Sequence, residues 1–211
     1  MRNFAVNSLL HGNCLRTTNH KEAALQELEE YSSPFRPDVK LEDFSKEALL
    51  RLLKATARQY LAIDGIWNSV TREELGEEKA RAMEMEVWRR ATSSEIRRTM
   101  SALNIQGDDV ATVLKAIQCA PGTAGIMDFS CELKDEKQGT LTVKRCSSLE
   151  FFERHHDTDG IQFACRTLET EVGYPETAAA VNPRIKAIPL KRPPRQSKDE
   201  ICCQWLFKIE D

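Results

Sequence analysis

Apolar positions recur in two different rhythms along this chain. From Ser45 the spacing is helical. Leu53, Ala57, Tyr60, Asp64 and Trp67 fall four and three residues apart on one face of a helix that Ser45, Lys46 and Glu47 open and Gly76 ends. A second helix is expected over Glu77 to Arg90, with Ala80, Glu84, Val87 and Ala91 on one face. A third, from Ser93 or Ser94, carries Ile96, Met100 and Leu103. A fourth, capped by Asp108 or Asp109, carries Val110, Val113, Leu114 and Ile117.

After Pro121 and Gly122 the rhythm becomes alternation. Met127, Phe129, Cys131 and Leu133 alternate with Asp128, Ser130 and Glu132, which predicts a half-buried strand. Lys134 to Gly139 is the hairpin loop, and Thr140 to Cys146 the return strand with Leu141 and Val143 inward. Short helices are expected over Ser148 to His156 and Gln162 to Val172. Two strands follow, Arg184 to Leu190 and Ile201 to Ile209, the latter with Cys203, Trp205, Phe207 and Ile209 on one face. Helices in a block followed by hairpin strands predict an α+β fold: an N-terminal helical layer packed on a small antiparallel β-sheet.

The first 44 residues stand apart. Lys21 to Tyr31 is amphipathic at helical spacing, and Ser32, Ser33, Pro34 and Pro37 then break the chain. The division expected is a loosely packed extension, 1–44, and a single domain, 45–211.

Several patterns in this order resemble a known group: Asp64-Gly65-Ile66-Trp67; Gly76 with Ala80, Glu84 and Trp88; Arg145-Cys146; Phe163-Ala164-Cys165; Asn182-Pro183-Arg184-Ile185; Pro193-Pro194; and Cys203-Gln204-Trp205-Leu206-Phe207. Over residues 44 to 209 the chain resembles an uncharacterised family of small prokaryotic cytosolic proteins. More distantly it is similar to L-2-amino-thiazoline-4-carboxylic acid hydrolase-like proteins and to 4-vinyl reductase ligand-binding domains. The resemblance implies a helical layer on a small sheet, small-molecule binding, and zinc held by cysteines and a carboxylate.

Composition narrows the partners. The 211 residues are 41% hydrophobic and 30% charged, with a net charge of −3, ordinary for a globular protein and without a basic surplus for nucleic acid. The basic run Arg184, Lys186, Lys191, Arg192, Arg195 and Lys198 has no interleaved aromatics and reads as a solvated loop. No apolar run is long enough for a membrane span, and residues 1–20 lack a secretory apolar core, so the expected setting is cytoplasmic. Seven cysteines in a reducing setting are then core thiols, metal ligands or reactive groups.

Three constellations carry candidate chemistry. Cys146, Cys165, Glu169 and Cys203 would make a tetrahedral zinc site if they met at one end of the sheet; otherwise these thiols are packing groups. Asp64 and Glu84 are carboxylates on apolar helix faces, where burial raises a pKa toward acid–base use unless a donor or Arg97 pairs them. His156, beside His155 and Asp157, is a candidate base or a plain helix end.

The leading expectation is a small-molecule- or metal-binding domain with a pocket between helices and sheet, lined by Tyr60, Asp64, Trp67, Glu84 and Trp88. The alternatives are a thiol- or zinc-dependent hydrolase of a small organic substrate, with Asp64, Glu84 or His156 catalytic, and a protein-interaction module. Whether it is an enzyme stays open, as does self-association. P-loop, dinucleotide and nucleophile-elbow motifs are absent.

Overall fold

A computed structural model describes residues 27–210. The chain divides into two units, Met1–Ala48 and Leu49–Asp211. In the first, a parallel bridge pairs Leu28 with Phe44, and Tyr31 packs edge-on against the Phe44 ring at 6.2 Å. The described part of the expected Lys21 to Tyr31 helix, residues 27–31, is not helical; the rest lies outside the described residues.

Helix α1 spans Lys46–Leu75. The Ser45 hydroxyl accepts from the Ala48 N–H at 3.2 Å, satisfying one of the donors a helix start leaves unpaired. Gly76 separates it from α2 with φ 82°, a left-handed value that a β-carbon disfavours. Helix α2 runs unbroken over Glu77–Ala102, so the two helices expected here are one. Ser93 starts no new helix, because its hydroxyl donates to Glu176 at 3.4 Å. Helix α3, Val110–Cys119, is capped by Asp109, which accepts from the Thr112 N–H at 2.8 Å. A single turn, α4, Pro121–Ala124, leads into the sheet.

Strands β1, Met127–Asp135, and β2, Gln138–Cys146, form the hairpin, with a tighter turn than the expected loop. Helix α5, Ser147–Arg154, and the turn α6, Thr158–Gly160, lead into a π-helix, Ile161–Gly173. Its wider bonding shows at the exit, where the Tyr174 N–H donates to the Glu169 carbonyl five residues back. Helix α7, Tyr174–Val181, continues it; Pro175 is tolerated because the first turn needs no donor there. Strands β3, Ile185–Lys191, and β4, Cys203–Ile209, complete an antiparallel sheet of order β1-β2-β4-β3. The fold is α+β, as the two rhythms predict.

The core lies where α3 and α7 meet the sheet. Val110, Val113, Ile117, Leu141, Val143, Trp205 and Phe207 are essentially fully buried, and Leu141 sits opposite Trp205 in the β2–β4 register. Much of the basic run is spent internally. Arg195, with its side chain only 3% exposed, makes two 2.8 Å bonds to Glu153, and Lys191 pairs with Glu200 at 3.0 Å. Among the described residues no helix is long and apolar enough to cross a membrane.

Candidate functional site

The wall between α1 and α2 is built from one stripe on each helix. On α1 the inward positions are Ala57, Tyr60, Asp64, Asn68 and Thr71. Trp67, expected among them, is 61% exposed and lies outside the large cavity, because it is rotated about 60° from Asp64 around the helix. On α2 the inward stripe is Ala80, Glu84, Trp88, Thr92, Glu95 and Ile96, while Val87 is exposed.

These stripes, the π-helix and the sheet surround a cavity of about 950 Å³. Two of the constellations expected as separate sites line this one space. Tyr60, Asp64, Glu84 and Trp88 stand at one end; Cys146, Cys165, Glu169 and Cys203 stand at the other. His155 also lines it, but His156 does not: it follows the α5 end at φ 54°, in the left-handed region that terminates the helix.

At the first end Tyr60 and Trp88 pack edge to face at 5.9 Å. The Tyr60 hydroxyl donates to Glu95 at 3.1 Å, and Glu95 also accepts from the Gly122 N–H at 2.8 Å. Burial and the neighbouring Glu95 carboxylate push the Tyr60 pKa well up. Burial raises Asp64; the Trp88 indole draws it partly back, yet that indole nitrogen is buried with no acceptor at hydrogen-bond geometry. Burial and the Asp64 charge raise Glu84 to about 7, against the opposing pull of Arg81 and of Asn68, whose amide donates to it. Arg81 is otherwise engaged, bonded to Glu77 at 2.6 Å and lying over the Phe163 ring at 5.1 Å.

At the other end Glu169 lines the cavity and is half-buried. Burial raises its pKa to about 7. Its carboxylate occupies the space a β-carbon on Gly173 would fill. Among the described residues no hydrogen bond or ion pair reaches it. The Trp205 indole nitrogen is a second buried donor without an acceptor. Burial pushes the Cys146 thiol to about 11 and raises Cys165 and Cys203 further. The thiols influence one another and Glu169, as shared space requires. Among the described residues, however, no three His, Cys, Asp or Glu side chains are placed to hold a metal ion.

The arrangement offers acceptors and an aromatic pair at one end, and a carboxylate, an indole donor and protonated thiols at the other. Glu95, Tyr174 and Trp205 line the cavity without having been singled out in the sequence as site residues. For Glu95 a signal existed, since it continues the 84–88 stripe by two turns of α2.

A family model described as a family of unknown function (DUF6125) matches residues 42–209. No curated protein and no solved structure matches.

Proposed function

The chain belongs to that family of unknown function, which passes no activity on to it, and we propose that it is a small-molecule-binding domain whose cavity takes a compact, largely apolar ligand bearing an ammonium group. The carrying observation is the cavity wall where Asp64 and Glu84 stand beside the Tyr60–Trp88 pair. An ammonium group gains from carboxylate acceptors and from aromatic faces at once. Arg81, the guanidinium that acts on Glu84, is already bonded to Glu77. The volume suits a ligand of drug-like size. A distant likeness to ligand-binding domains of the vinyl reductase type fits this reading and is not among its supports.

The test is calorimetric titration of the full chain with 2-phenylethylamine, 2-phenylethanol and 3-phenylpropionate. The amine is expected to bind, the alcohol more weakly and the carboxylate least. Glu84→Gln should weaken the amine ~10-fold, the scale of one charge-assisted hydrogen bond. Binding should strengthen as pH rises through 7, because Glu84 ionises near there. Equal binding of amine and carboxylate, or none of any, would overturn it.

The hydrolase reading keeps one observation in its favour. Glu84 and Glu169 both titrate near 7 and face the same space, as a general acid or base requires. The thiols do not share that support, since burial holds them protonated and a thiol is a weak nucleophile.

A further inference from the structure

Helix α1 carries a second apolar stripe that the described residues leave uncovered. Of its 30 residues only Ala57 and Thr71 are buried. Leu52, Ile63, Ile66, Trp67 and Val70 are between 49% and 62% exposed. Such residues scattered singly mean nothing, but several gathered along one helix face mark an interaction surface.

The spacing is regular. Leu49, Leu52, Thr56, Gln59, Ile63, Ile66 and Val70 alternate three and four residues apart, the seam spacing of two helices wound on each other. The seam is self-complementary when read backwards. Leu52 and Val70, Thr56 and Ile66, and Gln59 and Ile63 are each placed symmetrically about Leu61. Leu53 and Trp67 flank it on one side in the same relation, with only a slight offset. Small residues, Ala55, Ala62 and Ser69, flank it on the other and let backbones approach.

Charge follows the same symmetry. Setting aside Arg58, Asp64 and Arg72, which line the cavity, residues 49–61 carry Arg51 and Lys54 and no acid, whereas residues 62–75 carry Glu73 and Glu74 and no base. A parallel pairing sets like halves together; an antiparallel pairing sets each basic half beside an acidic one.

We propose that α1 pairs antiparallel with α1 of a second copy of this chain, about a two-fold axis near Leu61. Leu52 then packs on Val70 of the partner subunit, and Ile63 beside Gln59 of the partner subunit. A two-fold contact of this kind uses the same patch on both subunits, as a self-complementary stripe requires. Ile66 and Val70 also line the cavity, so Leu52 of the partner subunit and Thr56 of the partner subunit stand beside its open side. The dimer therefore bears on ligand entry, though the interface does not depend on the ligand reading.

Sedimentation equilibrium of the full chain at micromolar concentrations tests it. The expected mass is twice 24.0 kDa. Leu52→Glu and Ile63→Glu, neither of which lines the cavity, should each give a monomer of unchanged helix content by circular dichroism. The double variant Glu73→Lys/Glu74→Lys should also weaken the dimer, and high salt should weaken the native one. A parallel pairing predicts that the double variant leaves the dimer unchanged. That result overturns the proposal, as does a monomer throughout the range, which leaves the stripe to residues 1–26 or to another protein. A dimer that survives both apolar-to-Glu variants overturns it too. A native chain that is monomeric throughout and still binds 2-phenylethylamine would sink the interface and leave the ligand reading standing.

Discussion

The second unit has a packed side and a hollow side. Where α3 and α7 meet the sheet, Val110, Val113, Leu141, Val143 and Phe207 are at 0% exposure. Between α1, α2 and the π-helix, stripes that mix apolar, polar and acidic residues border about 950 Å³ of space. Apolar burial stabilises in proportion to area removed from water, so the packed side carries the fold. The hollow side holds carboxylates with raised pKa and two indole donors without acceptors, each of which costs stability. Groups arranged against stability are the mark of a site arranged for something else.

The largest effect that tests this contrast is on the packed side. Phe207→Ala removes a ring buried against Tyr174, whose centroid is 6.2 Å away, and should cost ~3–5 kcal/mol in denaturant unfolding. A cost below ~1 kcal/mol would mean the sheet side tolerates voids as the other side does.

On the hollow side the sign should reverse. Burial raises Glu169 from 4.5 to about 7, so the folded state holds its proton to higher pH than the unfolded chain does. Stability therefore falls as pH rises from about 4.5 to about 7 and stays low above. Glu169→Gln removes that penalty, and should stabilise by ~2 kcal/mol at pH 8 and by almost nothing at pH 4. Thermal unfolding of both proteins across that range reads it directly. A gain that is the same at both ends would show that shape, not charge, sets the cost at Glu169. Glu84 follows the same direction with a smaller effect, because solvent reaches it more freely.

The sequence rhythms were enough to place α1, α3 and the four strands, although on α1 the expected face is buried only in part, with Leu53 and Trp67 exposed. Leu141, Val143, Trp205 and Phe207 are buried as their alternation predicts. They failed where a distant partner decides. Ser93 looks like a helix cap until Glu176, far along the chain, takes its hydroxyl. Splitting α2 there also hid Glu95, which belongs to the Glu84–Trp88 stripe. Trp67 fits the α1 period as well as Asp64 does, and only packing against α2 shows which edge of the stripe turns outward. The carboxylate pair followed from helical spacing, whereas the thiol group rested on chemistry and on where the strands and helix were expected to end. That they share one cavity followed from neither, since residues 64 and 165 are joined only by the fold.

The smallest effect sharpens the comparison by its pH sign. Asp109 caps α3, the helix that anchors the packed side, and accepts from both the N–H and the hydroxyl of Thr112, at 2.8 and 2.7 Å. Those bonds, the hydroxyl's first, hold its carboxyl below 3.8. A lowered pKa acts opposite to that of Glu169. Its stabilisation is present above the ordinary value and is lost as pH falls through the lowered one. Asp109→Ala should cost ~1 kcal/mol at pH 7. The deficit should shrink in acid below 3.8, where the native carboxyl also protonates. Asp109→Asn should restore most of it, because an amide oxygen accepts the same N–H. Acid thus erodes the packed side while base burdens the hollow one. If the Asp109→Ala deficit stays constant down to acid pH, the cap works through shape alone and this half of the contrast fails.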